Sequence, residues 1–319
     1  MSKNFYWGFM LYLSNHMWSD ESTPPRGMYL PKPYNDEIDT EVEAWDEAIK
    51  YLGEHKYNLV LIDVGDGIKY ESHPEISAPN AWDKDFLKKK LDEIRTQGMI
   101  PVPKLNFSAG HDTWLKKYRR MISTPEYYQT CSDLIKEVSE AFGYPELFHI
   151  GFDEEDAEHQ VGRHEMAIIR GEDLWFHDLN YIAAECSRHS ARPWIWSDYM
   201  WKHRDTFLRR MSKDIMQSNW YYGVFYDNIV DGSMFLPMIE SYELLDKHGF
   251  DQIPTCSMYE FKPNIKQTLA YCKDRLSEDH LKGVLVAPWV STNSLDSLDL
   301  KRNAQRLYLE RKEYYPETL

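Results

Sequence analysis

Short apolar runs alternate with longer amphipathic stretches from one end of the chain to the other. The apolar runs are rich in β-branched and aromatic residues and are bounded by Gly, Asn or Pro, a pattern typical of buried strands. Eight such runs predict strands at 7–13, 59–64, 99–105, 148–152, 193–196, 214–218, 253–257 and 284–289. Eight stretches with apolar positions at helical spacing predict helices at 41–54, 84–97, 125–142, 172–189, 201–211, 233–248, 265–276 and 298–314.

Each predicted strand precedes a predicted helix, so the chain consists of eight β–α units. Alternation of this kind favours a parallel sheet with helices outside it, and eight units that close on themselves make a barrel. We therefore expect an α/β protein with a single (β/α)8 TIM barrel, one catalytic domain over residues 1–319. A doubly wound open sheet is the alternative, but no glycine-rich phosphate loop opens a predicted helix. Long loops are expected at 20–39 and 156–171.

The composition narrows the class of protein. The formal net charge is −15, and the nearest basic run, the lysines at 88–90, is typical of the solvated face of a helix; we therefore expect no nucleic-acid partner. No stretch of about 18 apolar residues is present, so we expect no membrane span, and no motif indicates a cofactor. The N-terminus lacks a secretory signal, which predicts a cytoplasmic protein, or an exported one whose signal has been removed. The four cysteines lie far apart and predict buried thiols.

Four consecutive acids, Asp-Glu-Glu-Asp at 153–156, follow the fourth predicted strand. In a barrel, catalytic residues lie at the C-terminal ends of the strands. A solvated acidic loop, a calcium or magnesium site and a carboxylate pair with separated pKa values all fit this run. Glycosidic cleavage needs such a pair, and the eleven Trp and twenty-two Tyr residues suit the stacking of sugar rings. We interpret the nearby His159 and His164 as solvated loop histidines rather than zinc ligands.

The strand ends resemble a known family. The segment His149-Ile150-Gly151-Phe152-Asp153-Glu154 is similar to the His-x-Gly-Gly-Asp-Glu motif of glycoside hydrolase family 20, the β-N-acetylhexosaminidases. Residues 102–111 resemble the family's Ile-Pro-Glu-Ile-Asp-x-Pro-Gly-His, and Trp196-Ser197-Asp198 resembles its tryptophan-acid turn after strand five. Further matches in the right order are Trp220 at strand six, Tyr259 at strand seven and Trp289 at strand eight. The resemblance covers the whole predicted barrel, motif by motif.

The resemblance implies a retaining, substrate-assisted cleavage of a β-linked 2-acetamido sugar, in which the substrate's own acetamido carbonyl attacks C1. Carried over, Glu154 is the general acid and Asp153 orients the acetamido group. The neighbouring carboxylate is one means of raising the pKa of such an acid toward the working pH. Other residues implied to bind or support the carbohydrate substrate are Trp196, Trp220, Trp289, Tyr259, Asp198, His111 and His149.

The chain also departs from the family pattern. Asn15 stands where the family has an Arg that binds the O3 and O4 hydroxyls, and is predicted to contact the sugar in its place. Ser291 replaces the Glu of the family's Trp-x-Glu, and Lys104 and Asn106 replace two acids of strand three. Losing the Arg and the Glu removes charge-assisted hydrogen bonds, so we expect altered specificity. Two alternatives remain, an inactive carbohydrate-binding relative and a metal-dependent hydrolase that uses the acidic loop at 153–156.

Overall fold

A computed structural model describes residues 5–20, 35–161, 163–164, 166–225 and 233–319. Most of the long loop predicted at 20–39 therefore lies outside the described residues.

Eight parallel strands form one sheet in the order β6-β5-β4-β3-β2-β1-β8-β7. The strands are β1 (Tyr6–Tyr12), β2 (Leu59–Asp63), β3 (Ile100–Lys104), β4 (Leu147–His149), β5 (Arg192–Trp196), β6 (Met216–Ser218), β7 (Thr255–Cys256) and β8 (Gly283–Val286). Two parallel bridges, Gln217 with Gln252 and Trp220 with Thr255, join the β6 and β7 regions, the first and last strands of that order. The sheet thus curls into the (β/α)8 TIM barrel that the sequence predicts, and that prediction is confirmed.

The helices of the described residues alternate with the strands. They are α1 (Val42–Glu54), α2 (Lys84–Thr96), α3 (Pro125–Ala141), α4 (Ala157–Gln160), α5 (Glu172–Arg188), α6 (Tyr199–Lys202), α7 (Arg204–Arg210), α8 (Leu236–Lys247), α9 (Asn264–Arg275) and α10 (Ser297–Tyr314). The long helices are amphipathic; α1, for example, buries Trp45, Ile49 and Leu52 at helical spacing. Side-chain caps define where some of them begin, since Asp83 accepts the backbone N–H of Phe86 at the start of α2.

Two of the predicted elements differ from the structure. The helix predicted at 201–211 is two helices, α6 and α7, separated at His203, whose φ of −128° and ψ of 38° are not helical. No glycine or proline marks this break, so the sequence pattern carries no sign of it. The loop predicted at 156–171 contains the short helix α4, because Asp156 caps it by accepting the backbone N–H of His159 at 3.0 Å.

The structure also tests two predictions that were made from the composition, one about the cysteines and one about the lysines at 88–90. All four cysteines are free and buried, as predicted. The lysines at 88–90 do not all lie on a solvated face, because Lys90 is buried and pairs with Asp46 at 2.6 Å and Glu93 at 3.0 Å; that interpretation was wrong for Lys90. Among the helices that the structure describes, none is long and apolar enough to cross a membrane.

Candidate active site

The chain leaves β4 through a turn with unusual backbone angles. Gly151, Phe152 and Glu154 have positive φ values of 78°, 72° and 51°. Position 151 requires glycine, because a Cβ there would lie 2.0 Å from Asn106 Oδ1. Non-glycine residues held in this region cost about 1–3 kcal/mol each and cluster at functional sites. The turn gives the adjacent carboxylates of Asp153 and Glu154 different surroundings, although both lie near His111 Nε2.

Asp153 is buried and held by the segment that follows β3. Its Oδ1 accepts hydrogen bonds from Asn106 Nδ2 at 3.0 Å and from Ser108 Oγ at 2.7 Å, and its backbone N–H donates to Ser108 Oγ at 2.8 Å. Its other oxygen, Oδ2, lies 3.4 Å from His111 Nε2. Asn106, which replaces an acid of the family pattern, therefore fixes the orientation of this carboxylate. Lys104, the other replacement, pairs with Asp63 of β2 inside the barrel.

Glu154 lies among basic side chains. Its Oε2 lies 3.2 Å from Arg163 Nη1 and 3.3 Å from His111 Nε2, and its Oε1 lies 3.6 Å from His159 Nε2. Burial alone would raise the pKa of this carboxyl, but the contact with His111 and the charges of His111, His159 and Arg163 lower it to about 2. The sequence-based expectation of a raised pKa is therefore wrong, because it considered the neighbouring acid and not the cations that fold over Glu154.

Asp198 connects the turn after β4 to the aromatic side chain of Trp220. Its Oδ2 accepts the backbone N–H of Glu154 at 2.8 Å, and its Oδ1 accepts the indole N–H of Trp220 at 3.3 Å. Burial, followed by the charges of Asp153 and Glu154, raises the pKa of Asp198 well above its ordinary value. Asp198, rather than Glu154, is thus the carboxyl of this group whose surroundings favour the protonated form.

The other two acids of the run have structural partners. Glu155 Oε1 lies 3.1 Å from Arg170 Nη2 and accepts the backbone N–H of Ala109 at 2.9 Å. Asp156 caps α4 and accepts a hydrogen bond from Lys202 Nζ at 2.7 Å. Each acid of the run therefore has its own compensating partners, which removes the mutual repulsion expected of four adjacent carboxylates, and the run is not a solvated loop.

A cavity of about 530 Å³ opens beside Glu154. This volume suits a small-molecule site, for which about 300–1,000 Å³ is usual. Of the predicted residues, Glu154, Asp198 and Trp220 line it, and Asp153, Trp196 and Trp289 do not. The wall also contains residues that the sequence did not single out for binding, namely His159, Trp201, Tyr222, Phe235 and Glu260.

Trp196, Trp289, Tyr12 and Tyr222 form an aromatic cluster near Asp153. The Trp289 ring lies 6.0 Å from Trp196, 6.1 Å from Tyr222 and 6.4 Å from Tyr12, measured between ring centroids. The indole nitrogens of Trp196 and Trp289 and the hydroxyls of Tyr12 and Tyr222 are buried and make no hydrogen bond of ordinary geometry to the described residues. The Trp289 side chain nevertheless approaches the Tyr222 hydroxyl. A buried polar group left unpaired costs about 1–3 kcal/mol, so a ligand acceptor that reached these four groups would offset part of that cost.

Sequence reasoning missed Tyr12, Tyr222 and a third residue, Trp18. Tyr222 follows Trp220 by two positions, and their rings stack at 5.2 Å with an interplanar angle of 22°; two-residue spacing at a strand end was a usable signal. Trp18 lies beyond β1 and packs 4.8 Å from the His111 ring and 5.9 Å from Trp289. Its contacts join residues far apart in the chain, so no local pattern predicts them.

His149 and Tyr259 differ in how the structure places them. The buried His149 ring packs 4.4 Å from Trp196, and its Nδ1 accepts the backbone N–H of Gly151 at 3.1 Å, so it supports both the wall and the turn. Burial, and then the charge of Lys104, lower the pKa of His149 well below its ordinary value. Tyr259 is 44% exposed, and its contact with the sugar stays a prediction.

Asn15 belongs to a group of polar residues at the ends of β1 and β8, which we call the Asp39 cluster: Asn15, Asp39, Ser291 and Asn293. Asn15 Nδ2 donates to Ser291 Oγ at 2.9 Å and to Asp39 Oδ1 at 3.3 Å. Ser291 Oγ donates to Asp39, and Asn293 Nδ2 donates to Asp39 Oδ2 at 3.4 Å. Where the resemblance placed an Arg and a Glu, the chain therefore has a cluster whose members hydrogen-bond to one another.

The two loop histidines are not simply solvated. His164 is buried, with Nε2 2.8 Å from the carbonyl oxygen of Gly110, and the interpretation of this residue was wrong. His159 is partly buried and lines the cavity. Within the described ranges, no group of three or more His, Cys, Asp or Glu side chains is arranged to hold a metal ion.

Known proteins resemble this chain in structure rather than in sequence. No family model and no curated protein matches the sequence. A family 20 exo-β-N-acetylglucosaminidase from Vibrio harveyi, solved with N-acetylglucosamine, matches 99% of this chain and 58% of its own at 13% identity and a TM-score of 0.62. A β-N-acetylhexosaminidase from Streptomyces coelicolor matches 95% of this chain and 64% of its own at 12% identity and a TM-score of 0.62.

A third match is a β-N-acetylhexosaminidase from Bacteroides fragilis, at 11% identity and a TM-score of 0.63, covering 99% of this chain and 71% of that one. The chain thus spans less than two thirds of the length of the Vibrio and Streptomyces enzymes. Identities this low show the fold and not the activity. The chain has the barrel fold of the solved family 20 β-N-acetylhexosaminidases.

Proposed function

We propose that this protein is a glycoside hydrolase that cleaves a β-linked 2-acetamido sugar with retention of configuration. The observation that carries the proposal is the Asp153–Glu154 pair at the end of β4, with Glu154 on a 530 Å³ cavity and Asp153 beside four unpaired aromatic donors. The fold supports it, because the similar structures are described as enzymes of this kind.

Recognition of the acetamido group begins at the aromatic cluster. The hydroxyls of Tyr12 and Tyr222 and the indole N–H of Trp289 are buried donors, and a carbonyl oxygen is the acceptor they lack. Asp153 accepts its protein hydrogen bonds through Oδ1, so Oδ2 is the oxygen that receives the acetamido N–H. Trp196 and Trp289 supply apolar ring faces for the methyl group.

Cleavage then follows in two balanced steps. The acetamido oxygen attacks C1, the bond from C1 to the glycosidic oxygen breaks, and Glu154 gives its proton to the leaving oxygen. Asp153 stabilises the positive charge that develops on the acetamido nitrogen. Water next attacks C1 from the face that the leaving group vacated, its proton passes to Glu154, and the acetamido group is restored. Two inversions at C1 give net retention.

The specificity at the far side of the ring differs from that of the family pattern. The Asp39 cluster, whose members hydrogen-bond to one another, stands where the resemblance has an Arg and a Glu, so the charge-assisted hydrogen bonds of those two residues to the sugar are missing. The proposal therefore names the class of substrate and not the sugar.

One observation favours a second candidate, a carbohydrate-binding relative without turnover. The cations around Glu154 lower its pKa to about 2, and a carboxyl that stays ionised at neutral pH cannot protonate a leaving group. Both candidates share the pocket, so only turnover separates them.

The decisive comparison is hydrolysis of two aryl 2-acetamido-β-glycosides by the wild type and Glu154→Gln. Methylumbelliferol leaves poorly without a proton, whereas dinitrophenolate leaves well. We expect Glu154→Gln to lower kcat/KM about 100- to 10,000-fold for the methylumbelliferyl glycoside and far less for the dinitrophenyl one. Glu158→Gln, an exposed residue on the same cavity, should match the wild type, and a chelator should change nothing. Sugar binding without wild-type turnover on either glycoside would establish the binding relative instead.

A further inference from the structure

One arginine, Arg170, is buried beside the turn that follows β4. Its side chain is fully buried, and its Nη2 donates to the carbonyl oxygen of Phe107 at 2.8 Å and lies 3.1 Å from Glu155 Oε1. Its Nη1 lies 3.3 Å from Asp178 Oδ2 on α5, and its Cζ lies 4.9 Å from the centroid of the Phe152 ring. A single guanidinium therefore joins the segment after β3, the turn after β4 and helix α5. We call these five residues the Arg170 clamp.

The clamp contacts the two residues that flank the catalytic pair. Phe152 immediately precedes the pair and has a φ of 72°, and its ring also packs against Trp175 of α5, with 5.5 Å between the ring centroids. Glu155 immediately follows the pair, and its Oε1 also accepts the backbone N–H of Ala109 at 2.9 Å. A non-glycine residue stays at a positive φ only where its surroundings over-determine it. The contacts on both flanks therefore fix the course of the turn.

The outer end of the clamp is attached to two long helices. Asp178 lies on α5, and its Oδ2 accepts a hydrogen bond from Ser123 Oγ at 2.6 Å, just before α3. Its Oδ1 accepts a hydrogen bond from the hydroxyl of Tyr128 on α3. Arg170 thus connects the turn to α3 and α5, which lie before and after β4 in the chain.

We propose that Arg170 positions Glu154 for proton delivery by fixing both flanks of the turn that carries it. This inference rests on the proposed function and adds a positioning residue to it. Asp153 depends less on the clamp, because its carboxylate has its own hydrogen bonds to Asn106 and Ser108. A general acid must lie within hydrogen-bond reach of the atom that it protonates, and a misplacement of about 1 Å can lower a rate about 100-fold.

The test is the hydrolysis of the two aryl glycosides by Arg170→Lys. Burial raises the pKa of Glu155 and the charge of Arg170 opposes that rise, so a neutral residue at 170 would also change the charge of the site. Lysine keeps the charge but lacks the planar fork that reaches two carboxylates and a carbonyl oxygen. We expect kcat for the methylumbelliferyl glycoside to fall about 100-fold, with KM nearly unchanged. The dinitrophenyl glycoside should lose far less, because its leaving group needs little help from a proton.

A second variant, Glu155→Gln, tests the same contact from its other side. Glutamine keeps an oxygen for the backbone N–H of Ala109 but makes a weaker, uncharged contact with Arg170. We expect a smaller loss than in Arg170→Lys, again greater for the methylumbelliferyl glycoside. The double variant should be about as slow as Arg170→Lys alone, because both changes release one shared contact. Losses that multiply would show that the two residues act separately and would overturn the inference.

The matched control is Arg311→Lys, at the opposite end of the barrel. Arg311 is also buried; it donates to the carbonyl oxygen of Lys56 at 2.6 Å, and its Cζ lies 4.6 Å from the centroid of the Trp7 ring. This variant loses a buried guanidinium far from the site. It should have a lower free energy of unfolding, with wild-type kcat on both glycosides. The same split between the two glycosides in Arg311→Lys would contradict the inference.

The remaining outcomes separate this inference from the proposed function. Wild-type rates in a folded Arg170→Lys protein, with Glu154→Gln still impaired, would overturn the inference and leave the proposed function intact. Equal losses on both glycosides would assign Arg170 a structural role and also overturn it. If Arg170→Lys does not fold, the split between the two glycosides in Glu155→Gln decides alone. A wild type inactive on both glycosides would end the proposed function, and this inference with it.

Discussion

The two sides of the barrel mouth are built in opposite ways. The turn after β4 has strained backbone angles beside an open cavity, and the aromatic cluster near Asp153 has buried donors without partners. After β1 and β8, the members of the Asp39 cluster hydrogen-bond to one another. Unpaired polar groups and strained backbone angles cost stability, and they are often found at functional sites.

The contrast teaches where substitutions will act. Changes on the β4 side should alter turnover strongly, because its carboxylates and unpaired donors are proposed to contact the substrate. Changes in the Asp39 cluster should alter folding more than chemistry, because its hydrogen bonds are complete within the chain.

The largest expected effect is that of Asp153→Asn. The variant keeps the shape of the side chain but loses the charge that stabilises the acetamido nitrogen, so kcat/KM for 2-acetamido glycosides should fall about 1,000-fold. Added azide should not restore activity, because no enzyme nucleophile has been removed. Rescue by azide, with formation of a glycosyl azide, would instead identify Asp153 as a covalent nucleophile.

The next effect is on stability at the turn after β4. Gly151→Ala should lower the free energy of unfolding by about 3 kcal/mol, because the new Cβ meets Asn106 at a positive φ. Gly98→Ala is a matched control, since Gly98 has a φ of 80° but no atom within 4 Å of its added Cβ; it should cost about 1 kcal/mol. Denaturant unfolding measures both, and equal losses would show that the contact with Asn106 does not matter.

The smallest effect concerns the Asp39 cluster. Ser291→Ala removes one buried hydroxyl and should cost about 1 kcal/mol of unfolding free energy, with kcat and KM unchanged. Ser187→Ala, on the exposed face of α5, is the control and should cost less than about 0.5 kcal/mol. A clear rise in KM for Ser291→Ala would contradict this contrast and would place Asn15, which Ser291 holds, in contact with the sugar.

Much of the fold could be predicted, because the alternation of apolar runs and amphipathic stretches is a local property of the sequence. The eight strands and the barrel followed from it, and the acids at the end of β4 were located by the same rule. The break at His203 could not be predicted, since no glycine or proline marks it.

The electrostatics of the site depend on contacts that local patterns do not encode. Arg163 and His111 both contact Glu154, although His111 lies more than forty residues before Glu154 and Arg163 in the sequence. These contacts reversed the expected direction of the pKa shift of Glu154. Tyr12 and Tyr222 meet at Trp289 from opposite parts of the chain in the same way.

The most direct test of the central claim is a crystal structure with a thiazoline mimic of the reaction intermediate. The account predicts that the ring nitrogen of the mimic lies within hydrogen-bond distance of Asp153 Oδ2 and that its methyl group contacts Trp196 and Trp289. A mimic that binds elsewhere, without a contact to Asp153 Oδ2, would contradict the account.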